Sequence, residues 1–457
     1  MKGYGSASAP AAMSELNQSR IVQYLHRNGV CSRAQIAKGL GLTAPAITKL
    51  VARLIEPGII SETGNLGGRG HRRSIGLRLN ASSHLVIGVK FARSLVQIGV
   101  FDLSGNLMGM QELPPVGDGD VQQAVETVKK DVRGLIDEDP RITGVGMAVP
   151  GPYLREEGSI ALVTGMQGWR GVNFKREFSQ AFEVPTFIEQ DARAGALAQS
   201  LFDPRIDKPD IAYYLVGEGV GLGVLEGGSL LNGSQGAATE IGHISISQEG
   251  PTCECGNVGC LECYCSAVAL HHTLVSPAHA GHYPGFRGLT HSQACERLFA
   301  MAEDGDGESR ALVADLARYV GYGCVTIVNA YNPSQIVIGD IMARAGRPLL
   351  DTVRALVEAR TIPQVGGRTQ ILLSSLPVDA TLTGAAAVAA NQFLLHPAAF
   401  VGRARREPPD TGRRPAPVRA DQARQRRGQA GAGLRTGLQT AKVVGQVTEN
   451  DSKQKEG

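Results

Sequence analysis

Residue order alone points to an α/β protein headed by a winged helix-turn-helix. Three observations carry that reading. Residues 14–55 hold three short helical patterns separated by glycines, and an alternating hairpin pattern follows them. From about Leu85 onward, short apolar runs alternate with helical stretches. Charge is unevenly spread: residues 1–80 hold 11 Lys+Arg against 3 Asp+Glu, residues 402–457 hold 13 against 6, and the segment between holds 22 against 34. A basic head on an acidic body suits a polyanionic partner for the head alone.

The chain of 457 residues exceeds one ordinary core and suits two or three domains. Its amino end, MKGYGSASAPAAMSELNQ, has no apolar h-region, and no uninterrupted apolar run reaches the roughly 20 residues of a bilayer span. A cytoplasmic protein without membrane insertion is the expectation, in a compartment where disulfides are disfavoured. Residues 1–13 read as a flexible start. Residues 396–457, Pro/Gly/Arg-rich and without apolar periodicity, read as a basic, disordered tail.

Residues 14–80 form the head. In SELNQSRIVQYLHRNG, Ile21 and Leu25 recur at helical spacing until Gly29 stops the run. Ser32 is placed to cap a second helix, SRAQIAKGL, closed by Gly41; Thr43 caps a third, with Pro45 tolerated in its first turn. On that third helix Ile47, Leu50, Val51 and Leu54 make one apolar face. Ala44, Pro45, Thr48, Lys49 and Arg53 lie on or near the other. Two helices joined by a glycine turn, the second with small, hydroxylic and basic residues exposed, make a helix-turn-helix. The small residues permit close approach to base edges, and Lys49 and Arg53 reach phosphate or base acceptors of double-stranded DNA. GIISETG and SIGLRLN then alternate as a wing hairpin around NLGGRGHRRS, whose Arg69, Arg72 and Arg73 suit a minor groove or phosphates.

Residues 81–395 form the body. LVIGVK and LVQIGVF read as a hairpin, and RITGVGMAVPGP as a buried strand entering a Gly/Pro turn. PTFIEQDARAGALAQ is a strand followed by a helix beginning near Asp191. IAYYLVGEGVGLGVLEGG is a strand pair about a glycine turn, and LVADLARYVGYGCVTIVNAYNPSQIVIGD a long helix followed by a strand.

The pieces GVGMAVPGP, EQDARAGALA, GEGVGLGV, EIGH, CECGNVGCLE and NPSQIVIGD, in this order, resemble the ROK family of repressors and sugar kinases, and LTAPAITK resembles the recognition helix of its glucose and N-acetylglucosamine repressors. The resemblance implies a two-lobed ribonuclease-H-like (actin/hexokinase-type) body with a sugar cleft between the lobes, in a homodimer or tetramer. It also implies where nucleotide binding fails. The family's kinases carry Asp-x-Gly-Gly-Thr-Lys after the first strand, where this chain reads GVKFARS. Lys90 replaces the Asp, which a divalent cation needs, and Ala92 and Arg93 replace glycines that let backbone amides approach phosphate. Glu218 in the second glycine turn would repel a nucleotide. The expectation is a chain without ATP-dependent kinase activity. By the same resemblance Gln190, Asp191, Glu240, His243 and Glu262 face the sugar, with Gln190 and Arg193 departing from the family's asparagines. Ionised carboxylates only accept hydrogen bonds, which suits vicinal hydroxyls.

Pro251–Cys263, PTCECGNVGCLEC, concentrates cysteines in one loop. Cys253, Cys255 and Cys260 with His243 supply three thiolates and one imidazole, the ligand set of a closed, structural Zn2+ site over residues 243–260. Gly256 and Gly259 let the loop fold tightly. Cys263 and Cys265 fall outside the pattern. Through EIGH and CLE the metal pins Glu240 and Glu262 by their own neighbours. The whole reads as a bacterial, sugar-responsive repressor of carbohydrate uptake or catabolism genes, with a sugar or sugar phosphate as effector. Two alternatives are a sugar kinase with a fused DNA-binding module and a repressor controlled by a transporter protein.

Overall fold

In the computed structural model, which describes residues 9–66, 74–92, 95–117, 119–161, 167–376 and 379–400, the head is α1 (Ala9–Asn28), β1 (Cys31–Ser32), α2 (Arg33–Leu40), α3 (Ala44–Ile55), β2 (Ile60–Leu66) and β3 (Ser74–Leu79). Helix α1 already includes residues 9–13, expected to be flexible. Ser32 starts α2 with a full capping box: its hydroxyl accepts from Gln35 N, and the Gln35 side chain accepts from Ser32 N. Gly41, at φ 66°, closes the helix. Thr43 differs from expectation, for it makes no side-chain cap bond. Pro45 brings no N–H to the first turn, and the Thr43 carbonyl accepts from Ile47 N at 3.0 Å. Strand β3 pairs antiparallel with both β1 and β2.

The first lobe follows with β4 (Leu85–Ala92), β5 (Leu95–Asp102), β6 (Leu107–Glu112), α4 (Val121–Glu138), β7 (Ile142–Val149), β8 (Tyr153–Leu154), β9 (Ser159–Ile160), α5 (Phe174–Phe178) and β10 (Thr186–Gln190). Helix α6 (Asp191–Phe202) leads to the second lobe: β11 (Ile211–Val216), β12 (Val220–Glu226), β13 (Ser229–Leu230), α7 (Glu262–Cys265), α8 (Ala267–Leu274), α9 (His291–Glu303), α10 (Gly307–Tyr331), β14 (Gln335–Gly339), α11 (Gly346–Arg360), α12 (Pro363–Gly366) and β15 (Gln370–Leu373). Helix α13 (Ala380–Leu395) closes the body.

The main sheets run β10-β7-β4-β5-β6 and β13-β12-β11-β14-β15. Numbered within its own lobe, each sheet has the order 5-4-1-2-3 or its reverse, with two antiparallel steps at one side and parallel steps at the other. This duplication is the two-lobed, ribonuclease-H-like architecture. The lobes exchange helices: α6 leaves β10 yet packs on β11 and β12, while α13 leaves β15 yet packs on β4 and β7. Close approach demands small residues. A β-carbon at Gly146 of β7 would sit 1.9 Å from the Ala385 carbonyl oxygen of α13.

Helix α13 also fastens the head. Its Leu382, Ala386, Phe393 and Leu394 share one buried cluster with Ile21, Leu25, Val51 and Leu54 of the head. Ser19 Oγ donates to Leu394 O at 3.0 Å, and His26 Nε2 lies 3.2 Å from Leu103 O. Phe400 is buried beside Phe393 and Phe187, so residues 396–400, expected in the tail, are folded. Residues 401–457 lie outside the described part. Helix α10 is long and apolar enough to cross a membrane by length and composition, but its Leu316, Val320, Cys324 and Ile327 are buried in the second-lobe core.

Candidate functional site

A cleft of about 370 Å³ opens between the lobes. Its walls are the carboxyl ends of parallel strands β4, β10, β11 and β14 and the start of α13, the usual ligand position in open α/β sheets. Lys90, Gln190, Asp191, Glu218, Glu240, His243, Glu262, Asp340 and Asp379 all reach it, so the predicted effector residues converge.

Lys90 is the centre of charge. Its Nζ donates to Asp379 Oδ2 at 2.7 Å. Burial alone would pull the ammonium's pKa down, but Asp379, Asp340 and Asp191 together hold it above the ordinary lysine value. Asp379 caps α13, its Oδ1 accepting from Thr381 N and Leu382 N. Despite burial, Lys90 and these amides keep its carboxyl below the usual range. Asp340 moves the other way, raised by burial and by Asp379. Sequence reasoning found Lys90 but missed both carboxylates. Their signals were present: Asp340 ends NPSQIVIGD immediately after a strand, and Asp379 stands in the N-cap position of TLTGAAAVAA. Arg93 lies outside the described residues.

Asp191 begins α6, its Oδ1 accepting from Ala192 N at 2.6 Å. Burial, with Asp340 and Glu262 adding repulsion, pushes its pKa up to about 7. Burial and then Asp191 raise Glu240 to about 7 as well, while Gln190 Nε2, donating at 3.3 Å, opposes the rise. Near neutral pH both carboxyls therefore supply hydrogen-bond donors as well as acceptors. Glu262 Oε2 accepts from Val220 N at 2.8 Å, which ties the Gly217–Gly221 turn to α7. Arg193 is turned away from the cleft. It is fully buried, bonds Glu189 Oε1 at 2.8 Å, and donates to Leu231 O and Asn232 Oδ1. The departure from the family's second asparagine thus builds an internal ion pair beneath the cleft.

The metal-type donors converge as expected. One ligand atom each from His243, Cys253, Cys255 and Cys260 lies within 4.8 Å of every other. Cys253 Sγ is 3.7 Å from His243 Nδ1, and Cys255 Sγ is 3.7 Å from Cys260 Sγ. Three soft sulfurs and one imidazole fit a metal ion, and no disulfide joins them. Gly259 is essential to the turn: at φ 71°, its β-carbon would lie 1.9 Å from Ser247 O. Cys265 is buried, donating to Leu261 O, and Cys263 is half-buried outside this set.

On the head, Ile47, Leu50, Val51 and Leu54 are buried, and Ala44, Pro45, Thr48 and Lys49 are exposed on the opposite face of α3. Thr48 Oγ1 donates to Ala44 O, leaving its lone pairs outward. Arg53 is exposed but engaged: its Nη1 donates to Ser14 Oγ at 2.9 Å. Arg69, Arg72 and Arg73 lie outside the described residues.

Comparison with known proteins agrees with this architecture. The profile of the ROK family matches residues 86–392, and a winged helix-turn-helix DNA-binding profile matches residues 15–61. The xylose repressor of Caldicellulosiruptor bescii is 26% identical over 393 residues, spanning 84% of this chain and 98% of its own. The transcriptional dual regulator NagC of Escherichia coli is 26% identical over 356 residues, spanning 77% and 86%. Among solved structures, a ROK family transcriptional regulator, a homologue of the Escherichia coli MLC protein, has a TM-score of 0.70 at 24% identity over 84% of this chain and 97% of its own. A ROK family glucokinase from Streptomyces griseus, solved with glucose and AMPPNP, has a TM-score of 0.58 at 26% identity over 67% and 99%. With a family profile spanning both lobes and a DNA-binding profile on its head, the chain belongs to the ROK family.

Proposed function

We propose that this chain is a sugar-responsive transcription repressor, binding operator DNA as a dimer through α3 and the wing, and using its cleft to sense a sugar or sugar phosphate. Lys90 carries the reading. An ammonium paired with Asp379 stands in the place a kinase needs for its nucleotide's metal, which supports a cleft that keeps carbohydrate-type acceptors and binds sugar without nucleotide.

The metal in this reading is zinc, held by His243, Cys253, Cys255 and Cys260. A tetrahedral site with Zn–S of roughly 2.3 Å has S···S edges of about 3.8 Å, and the Cys255–Cys260 spacing of 3.7 Å agrees. Zinc supplies a cross-link with no vacant coordination position. The residues do the recognition: His243 turns Nδ1 to the cluster, which leaves Nε2–H for a ligand hydroxyl, and Glu240, Glu262 and Asp191 take the hydroxyl hydrogens.

Transmission follows α13. Asp379 caps its first turn in the cleft, and Leu394 O near its last turn accepts from Ser19 of the head. Sixteen residues of helix span about 24 Å. A ligand that prefers one setting of this helix thereby prefers one placement of the recognition helices. Footprinting on the DNA upstream of the gene tests the reading: a protected near-palindrome released by a sugar is expected, and equal weak affinity for all sequences contradicts it. ADP release with a hexose at an enzyme-like rate contradicts the sensing role of the cleft.

A further inference from the structure

A second cavity, of about 230 Å³, lies where α1 of the head meets the body, its wall divided between polar groups and aliphatic side chains such as Leu197, Leu201 and Leu394. Its charged lining groups are Arg27 of α1, Arg155 immediately after β8, and Glu189 of β10. His26 also lines it, but burial lowers its pKa, with Arg27 contributing, so the ring is neutral at physiological pH. Glu189 is already neutralised from within, since fully buried Arg193 bonds its Oε1 at 2.8 Å. Arg155 pairs with Oε2 of the same carboxylate, so two guanidiniums share one negative charge. Arg27 makes no ion pair among the described residues; its Nη2 lies over the β12–β13 turn, 3.9 Å from where a β-carbon at Gly228 would be. Three guanidiniums thus meet one carboxylate, leaving two positive charges uncompensated on the polar side of a concave site. Amides complete the wall. Asn232 Oδ1 is occupied by Arg193, which leaves its NH2 to donate, and Gln392 of α13 stands with it.

We infer that this junction cavity is a binding site for a phosphate monoester, distinct from the sugar cleft. A phosphate dianion matches the net two positive charges, and its oxygens accept from Arg27 and from the N–H groups Arg155 does not spend on Glu189, whereas a carboxylate leaves one charge unmatched. One fork belongs to the DNA-contacting head and the other to the body, so the bound phosphate fastens α1 in place. Glu189 precedes Gln190 and Asp191 in the chain, which sets this site directly beside the effector cleft.

Calorimetry on the full chain, in buffer free of phosphate and sulfate, tests this with glucose 6-phosphate, inorganic phosphate and glucuronate as probes. Saturable binding of a phosphate probe is expected. Arg27→Ala and Arg155→Ala each weaken it about tenfold or more, and Asp191→Asn in the cleft leaves it within about twofold. Arg27 is exposed and makes no ion pair among the described residues, so its variant keeps the wild-type Tm. The inference is overturned if neither phosphate saturates, if both arginine variants bind as wild type, if binding is lost in Asp191→Asn but kept in Arg27→Ala, or if glucuronate binds as tightly as glucose 6-phosphate. No DNA enters this readout, so its failure is separable from failure of the repressor reading.

Discussion

Replacing Lys90 by Met removes one charge from the cleft while keeping an unbranched side chain of similar length. The ammonium is 2.7 Å from Asp379 Oδ2, with the two side chains 11% and 38% accessible. Breaking a fully buried pair typically destabilises by roughly 3–5 kcal/mol. Asp379 is partly solvated and keeps two amide donors at the start of α13, so the expected loss is about 2–3 kcal/mol. Its pH dependence is fixed by the carboxylates left behind. Lys90 has a raised pKa, so its contribution is complete below the unfolded lysine value and fades only as pH rises through the folded one. Asp379 has a depressed pKa, so its contribution holds above the unfolded value and is lost only in acid. Asp191, raised to about 7, is protonated at pH 5.5 and ionised at pH 8. Urea unfolding of Lys90→Met should therefore show most of the loss at both pH values, with the larger loss at pH 8, where Asp191 is ionised too, and a cycle with Asp379→Asn should give a coupling of at least about 1 kcal/mol. A variant as stable as wild type at pH 8, or one destabilised more at pH 5.5 than at pH 8, would refute the role given to Lys90.

Other outcomes follow from the same structure. Purified protein should carry one zinc per chain; Cys255→Ser should lose it, lower the Tm and abolish ligand response, and retained zinc by elemental analysis would contradict the ligand assignment. Lys49→Ala should weaken operator binding and reduce the slope of log affinity against log salt by about 1, whereas an unchanged slope in anisotropy titrations would remove Lys49 from the phosphate contacts. Asp191 ionises less readily in the folded chain, so its contribution is most favourable below the unfolded value of 3.8 and is lost as pH rises through about 7. Asp191→Asn should accordingly gain about 2 kcal/mol over wild type on going from pH 5.5 to pH 8; a constant difference would contradict that environment.

Local signals told most about local structure. The Ser32 capping box, the αL Gly41 and the buried face Ile47, Leu50, Val51 and Leu54 all follow from spacing within one or two turns. The cluster of metal-type donors was legible because its three cysteines share one loop, with His243 ten residues before the first. What escaped depends on distant pairing. Lys90 and Asp379 are 289 residues apart, and only the exchange of α13 onto the first-lobe sheet brings them together. Arg193 looked like a defect in a sugar motif. Its buried bond to Glu189 appears only once β10 and α6 are placed side by side. Thr43 showed the limit of cap rules, since Pro45 had already removed an N–H from the first turn.

The central claim joins the cleft to the reader of DNA through α13. Operator affinity, titrated by anisotropy with and without the sugar that raises the protein's Tm, tests it most directly, in wild type and in Asp191→Asn. The account predicts that sugar weakens wild-type binding about tenfold or more, a coupling of at least about 1.4 kcal/mol, and leaves the variant's curve unmoved. Superimposable wild-type curves at saturating sugar would contradict it.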